Sequence, residues 1–360
     1  MVFWRKVVVM KKAILLLFWF ISWESVQAQE LNFEAVDVYF QLVEGLKKDL
    51  PLATDSWNEF ISLTGIQLYV RNNGLDEKTL NAYKRNLEIT YMPKNDSILK
   101  ARLLNPEKYF VLWVFNNYKT QEKELKTYYE KIKKNKSTYL DSAYANSYRV
   151  LPTKMHTRAE EATIYFIPLM NDAVAEDKDI VLTLYCAYHY DKLKFGALAG
   201  HEMHHLLRTD KSKDYKNDAA LYQAMRLLLN EGSADLIDKA YTASEACPDD
   251  LKYYEYFMQA APEALAMLDT AIQEHVTGKK KITEEDIANI VPMSGHVPGC
   301  YMGQVIRRNG LETQLIAAIN DPLKFMLLYN EAAARDAQKP YVFSELSMNY
   351  LRKKFKNKRA

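Results

Sequence analysis

Apolar side chains recur every three to four positions along most of this chain, the spacing that gives a helix one buried stripe. Between residues 32 and 50, Phe33, Val36, Val38, Phe40, Leu42, Val43 and Leu46 cluster ahead of Pro51. Comparable stretches predict helices over 55–70, 76–89, 106–116 and 120–134, and later over 251–276, 283–290, 300–308, 311–319 and 322–334. Thr283 with Asp286 three residues on is a helix-start signature. Two segments break the helical rhythm. Residues 162–168 and 179–185 are rich in β-branched and aromatic side chains and read as strands. The chain has only 11 Gly and 11 Pro in 360 residues, which suits long helices. No internal repeat is evident, so a helical-repeat array is not expected. The pattern predicts an α+β fold, predominantly helical.

The ends and the charge narrow the class. Arg5, Lys6, Lys11 and Lys12 precede an apolar run from Ala13 to Trp23. Val26-Gln27-Ala28 is then a small-x-small cleavage pattern. Residues 1–28 therefore read as a signal peptide, with Met1 or Met10 as initiator. The run is short for a membrane span, which needs about 20 residues. The protein is expected to be exported, periplasmic or secreted, with no stable span after cleavage. The whole chain has 48 basic and 46 acidic side chains; residues 1–28 hold four and one of these, leaving 44 and 45, a net charge of −1. That balance gives no reason to expect a nucleic-acid partner. Three cysteines, Cys186, Cys247 and Cys300, are too few for a disulfide scaffold and are expected to be buried small residues with one bridge at most.

Chemistry concentrates in Gly200-His201-Glu202-Met203-His204-His205. A helix turns about 100° per residue, so His201 and His205 lie about 40° apart on one face. Two neutral imidazoles at that spacing can grip one zinc ion. Glu202 follows the first ligand and is placed to take a proton from the water that such an ion activates. From Phe195 to Leu207 there is no Lys, Arg or Asp, and Glu202 is the one carboxylate. An apolar helix needs a reason to carry three His and a Glu, because buried polar groups are costly unless paired. Zinc needs a third protein ligand. A metzincin continuation would require Gly and His at positions that hold Arg208 and Lys211. The alternative is Glu231, which directly follows a helical stripe of Leu221, Ala224, Met225, Leu228 and Leu229. Asp235, one turn on, is expected to accept the second N–H of a ligand His.

These residues resemble the gluzincin zinc peptidases, whose pattern is His-Glu-x-x-His followed by Glu on a second helix, often with Asp four residues later. Leu229-Asn230-Glu231-Gly232-x-Ala234 also resembles the third-ligand segment of the large aminopeptidase family of that group. The Gly-x-Met-Glu-Asn segment of those aminopeptidases is absent. The closest likeness is to bacterial families of unknown function described as zinc-dependent peptidases. They share the His-Glu-x-His-His core, a Glu-Gly-x-Ala-Asp segment and a later segment like Gly299-Cys300-Tyr301-Met302-Gly303. The likeness covers roughly residues 160–310.

It implies a zincin-like core, in which a small sheet precedes the metal-binding helix and a second ligand helix follows. The implied organisation is a helical region at 29–150, the catalytic region at 151–310 and C-terminal helices packed on it at 311–360. It also implies one zinc ion and a peptide or protein substrate. Gluzincins place a late Tyr or His beside the reacting oxygen, which makes Tyr301 and His296 the candidates, with Tyr301 ranked first. Their edge strand pairs with extended substrate, a role expected of Ile164, Tyr165 and Phe166 ahead of Pro168. Two other readings stay open: a binding or scaffold protein with a structural or vestigial zinc site, and a zinc hydrolase of a non-peptide amide. Glu202 separates the first of these from a peptidase, since a structural site needs no base.

Overall fold

The computed structural model describes residues 29–208 and 218–355. The expected signal peptide and the end of the basic tail lie outside the described residues. β1 (Glu30–Asn32) is followed by α1 (Glu34–Leu46), α2 (Thr54–Ser62), α3 (Thr64–Asn72), α4 (Glu77–Tyr91), α5 (Asp96–Leu103), α6 (Phe110–Thr120), α7 (Glu122–Lys134) and α8 (Lys136–Tyr148). Three strands come next, β2 (Thr163–Ile167), β3 (Ala173–Glu176) and β4 (Asp179–Thr183). Then follow α9 (Leu184–Leu193), α10 (Ala197–Leu207), α11 (Ala219–Asp238), α12 (Tyr253–Val276), α13 (Glu284–Ile290), α14 (His296–Arg308), α15 (Glu312–Ala317), α16 (Pro322–Arg335) and α17 (Glu345–Phe355). The fold is α+β and predominantly helical, with one four-stranded sheet. Among the described residues no helix is long and apolar enough to cross a membrane.

Local chemistry accounts for several boundaries. The helix expected over 55–70 is split, because Leu63 is extended (ψ 140°) between α2 and α3. Asp76 caps α4 by accepting the Thr79 N–H. Thr283 and Asp286 cap α13 reciprocally, as their spacing implies. α14 begins four residues earlier than its apolar stripe suggests. Gly295 supplies a left-handed turn (φ 106°), and Pro298 falls in the first turn, where its missing N–H costs nothing. The early start puts His296 on a helix rather than in a loop.

The sheet order is β1-β2-β4-β3, with β1, β2 and β4 parallel and β3 antiparallel to β4. This corrects the expected role of Ile164, Tyr165 and Phe166. They lie on β2, an inner strand, where Tyr165 is paired with Asn32 on one side and Val181 on the other. Ile164 and Phe166 are buried, and Tyr165 packs on Gly65 of α3. Main-chain groups engaged from both sides cannot accept a substrate strand. The sheet edges are β1 and β3, two strands too short to read from sequence.

Among the described residues there are two small hydrophobic clusters, one of them around Phe257, Ala261, Val297 and Cys300, and two large hydrophobic cores. The first joins α1–α4 and α6–α8 to the sheet, α9 and α10, so residues 29–150 share their core with the strands and the metal-motif helix. The second is built mainly from α11 to α17. The three cysteines are buried and unpaired. The seam between the cores is where α10 meets α11.

Candidate metal centre

α10 is held in place from α8, a helix the apolar pattern did not reveal. Ser142 and Asn146 of α8 donate to the Phe195 carbonyl, and Asp191 accepts the Gly196 N–H at 2.8 Å. Gly200 lies so close to α8 that a Cβ there would stand 2.9 Å from the Ala143 carbonyl oxygen. The residue before His201 must therefore be very small. His201 and His205 then project together from α10, with ring centroids 4.9 Å apart.

α11 brings Glu231 to them. Its Oε2 lies 3.7 Å from His201 Nε2 and 3.3 Å from His205 Nε2. That oxygen is buried and has no hydrogen-bond partner. Its twin, Oε1, is taken by the Asn230 amide at 2.7 Å. Zinc bonds of about 2.0–2.2 Å in tetrahedral geometry put neighbouring donor atoms roughly 3.3 Å apart. Glu231 Oε2 stands near that spacing from both imidazole nitrogens, and the three donors lie within 4.8 Å of one another. An orphaned buried carboxylate oxygen facing two imidazole nitrogens fits a cation. Burial would raise the Glu231 pKa, yet His205 and His296 hold it well below the usual glutamate value.

Each ligand candidate is fixed from behind. His201 Nδ1 faces Asp238 Oδ1 at 3.1 Å, and His205 Nδ1 faces Asn230 Oδ1 at 3.3 Å. These acceptors assign the Nδ1–H tautomer to both rings and leave both Nε2 lone pairs for a metal. Arg208 donates to the same Asn230 oxygen at 2.6 Å, which fixes the orientation of the amide. Burial disfavours a charged His201, but Asp238 raises its pKa well above the ordinary value, so a proton competes with a metal there.

The expected role of Asp235 is redistributed. It stands 3.7 Å from His201 Nδ1, beyond hydrogen-bond range, while Asp238 makes that contact. Asp235 instead binds His296 Nδ1 at 3.0 Å. Helical arithmetic explains the change, because position +7 from Glu231 returns to within about 20° of its face, closer than position +4. Neither Asp238 nor Asn230 was singled out from sequence. The seven-residue offset was the one available signal for Asp238, and nothing flagged Asn230.

His296 completes the cluster from α14. Its ring stacks near Phe257 (6.2 Å) and His201 (5.7 Å), and its Nε2 lies 3.3 Å from Glu231 Oε2. Three glycines make this crossing possible. A Cβ on Gly299 would meet the Leu228 carbonyl oxygen at 2.5 Å, and one on Gly303 the Gly232 carbonyl oxygen at 2.4 Å. The backbones of α11 and α14 are in direct contact. Tyr301, ranked first from sequence, makes no side-chain hydrogen bond to the cluster among the described residues. It lies five residues past His296, about 140° around the helix, and packs between the second core and the Phe257 cluster.

Glu202 is buried on α10 and makes no side-chain hydrogen bond among the described residues. Its charge reaches Asp172, the residue before β3, whose pKa is pushed up to about 6, first by burial and in part by Glu202.

A family model described as "Putative zinc dependent peptidase (DUF5700)" matches residues 57–338. The chain belongs to this family. The DUF5700 match takes in α10, α11 and α14, so every side chain of the cluster falls within it. No curated protein and no solved structure matches the chain.

Proposed function

We propose that the protein is a gluzincin-type zinc peptidase in which His201, His205 and Glu231 hold one zinc ion. The observation that carries the proposal is the unpartnered Glu231 Oε2 facing two Nε2 atoms whose rings are fixed through Nδ1. A bound zinc ion supplies Lewis acidity toward a water molecule and a peptide carbonyl. Glu202 takes the proton of the attacking water and passes it to the leaving amine. His296, whose pKa burial would lower but Asp235 and Glu231 raise, donates Nδ1–H to Asp235 as an imidazolium, offers Nε2–H to the developing negative oxygen and takes the role expected of Tyr301. β3 replaces β2 as the candidate for pairing with an extended peptide, since it is a sheet edge packed beside α10. The exported location belongs to the same proposal.

A closed structural zinc site is the rival reading, favoured by the presence of a third imidazole, His296, as a fourth candidate donor. Against it, the donor group of His201, His205 and Glu231 does not extend to His296, which instead forms a second possible metal group with His201 and Asp235. Glu202 also makes no side-chain hydrogen bond or ion pair among the described residues that would give it a structural task. The test is zinc content and peptide-library cleavage for wild type and Glu202→Gln. The variant should keep zinc and lose about 10²–10⁴-fold in cleavage. Equal cleavage by both proteins would remove Glu202 from the mechanism, and a wild type that binds no zinc would end the reading.

A further inference from the structure

Lys239 follows Asp238 at the end of α11 and is buried, an unusual place for an ammonium group. Its Nζ lies 2.7 Å from Asp238 Oδ2 and 3.6 Å from Asp235 Oδ1, over the Tyr190 ring at 5.5 Å. The two carboxylates it touches serve different imidazoles. Asp238 presents its other oxygen to His201, and Asp235 grips His296. We infer that Lys239 is the positioning residue of the centre, one buried cation that keeps Asp238 on the metal-ligand ring and Asp235 on the His296 ring. The inference rests on the zinc reading above.

Glu231, Asp235 and Asp238 share one face of α11, at about 0°, 40° and −20°. Asp235 and Asp238 are fully buried. Two carboxylates in that setting repel each other when ionised, and the imidazole hydrogen bonds offset their desolvation only in part, which a paired cation completes. Burial would lower the Lys239 pKa, but Asp238, Tyr190 and Asp235 hold it well above the usual lysine value. The ammonium thus stays charged between the two carboxylates. By occupying Oδ2 of Asp238 it leaves Oδ1 for His201. With the charge removed, Asp238 and Asp235 are free to compete for His201 Nδ1, which already lies 3.1 Å from one and 3.7 Å from the other. The ring that must present Nε2 to the metal then loses its fixed orientation. Partners behind a metal ligand typically govern 10–100-fold in affinity.

The experiment is zinc affinity of the full chain by chelator competition, with thermal unfolding of the metal-free forms alongside. Lys239→Met should fold and bind zinc 10–100-fold more weakly, and Lys239→Arg should stay within about threefold of wild type. Asp238→Asn combined with Lys239→Met should be little weaker than Lys239→Met alone, because both act through the same hydrogen bond. A Lys239 that only stabilises the fold would lower the metal-free Tm and leave zinc affinity unchanged, and that result overturns the inference. Losses that multiply in the double variant also overturn it. Should Lys239→Met fail to fold, Lys239→Gln against Lys239→Arg decides in the same way, and equal affinities refute the role of charge. A wild type without zinc affinity refutes the zinc reading itself, a distinguishable outcome.

Discussion

The crossing of α11 and α14 yields the most quantitative prediction. Gly303→Ala puts a Cβ 2.4 Å from the Gly232 carbonyl oxygen, whereas ordinary contact begins at 3.4 Å. The obstacle is backbone within a buried helix and cannot swing aside, so the helices must part by about 1 Å, the difference between those distances. Overpacking of this kind costs about 1–3 kcal/mol. For a chain of this size that lowers Tm by roughly 1.5–4.5 °C. The same shift moves His296 off Glu231, from which its Nε2 now stands 3.3 Å. His201, His205 and Glu231 sit on α10 and α11, so zinc content should hold while kcat/KM falls, by about 10²-fold if the full displacement reaches the reacting atoms. The assays are calorimetry, metal analysis and steady-state cleavage. Gly45→Ala in α1 is the control, since nothing lies within 4 Å of a Cβ there and helix propensity favours Ala. A Gly303→Ala protein with wild-type Tm and kcat/KM would refute the claim that backbone contact sets the position of His296.

Other expectations follow from the redistributed carboxylates and the buried Asp191. Asp238→Asn should weaken zinc binding about 10-fold or more, while Asp235→Asn should lower cleavage through His296 and leave zinc content unchanged; the opposite pattern in metal analysis would show the two acids wrongly assigned. Removing zinc with a chelator should lower Tm, because a ligand that binds only the folded state adds its binding free energy to stability; identical melting curves would contradict a filled centre. Burial pushes the Asp191 pKa up to about 7, against hydrogen bonds from Tyr128 and Gly196. A raised carboxyl pKa means that the folded chain binds the proton more tightly than the unfolded one. Its contribution is fully present below about pH 4 and is lost as pH rises through 7. Asp191→Asn should therefore flatten the dependence of Tm on pH between 5 and 8, and an unchanged slope would exclude Asp191 as its source.

Local signals in the chain reached far into this site. The i, i+4 histidines with Glu202 between them specify a metal-binding helix face without reference to any other residue. The apolar stripe ending at Glu231 marked a carboxylate that had no place in a core, and the structure sets it opposite both imidazoles. Two inner strands were legible from β-branched runs, and most helices from their period. What escaped was whatever depends on distance in space rather than in sequence. β2 reads as a candidate edge because Pro168 follows it. It is internal because β1, three residues long and more than a hundred positions earlier, pairs with it. Tyr301 outranked His296 by resemblance. Helical phase and the contact of Gly232 with Gly299 and Gly303 bring His296 to within 3.3 Å of Glu231. Asp235 was assigned to the wrong imidazole, because which ring an acid reaches depends on how α10 and α14 straddle α11. Sequence alone determined that there is a metal motif and which residue types serve it. The tertiary structure decided the partner of each side chain, since hydrogen bonds and ion pairs act over about 3 Å and only packing of the two cores brings those atoms within reach.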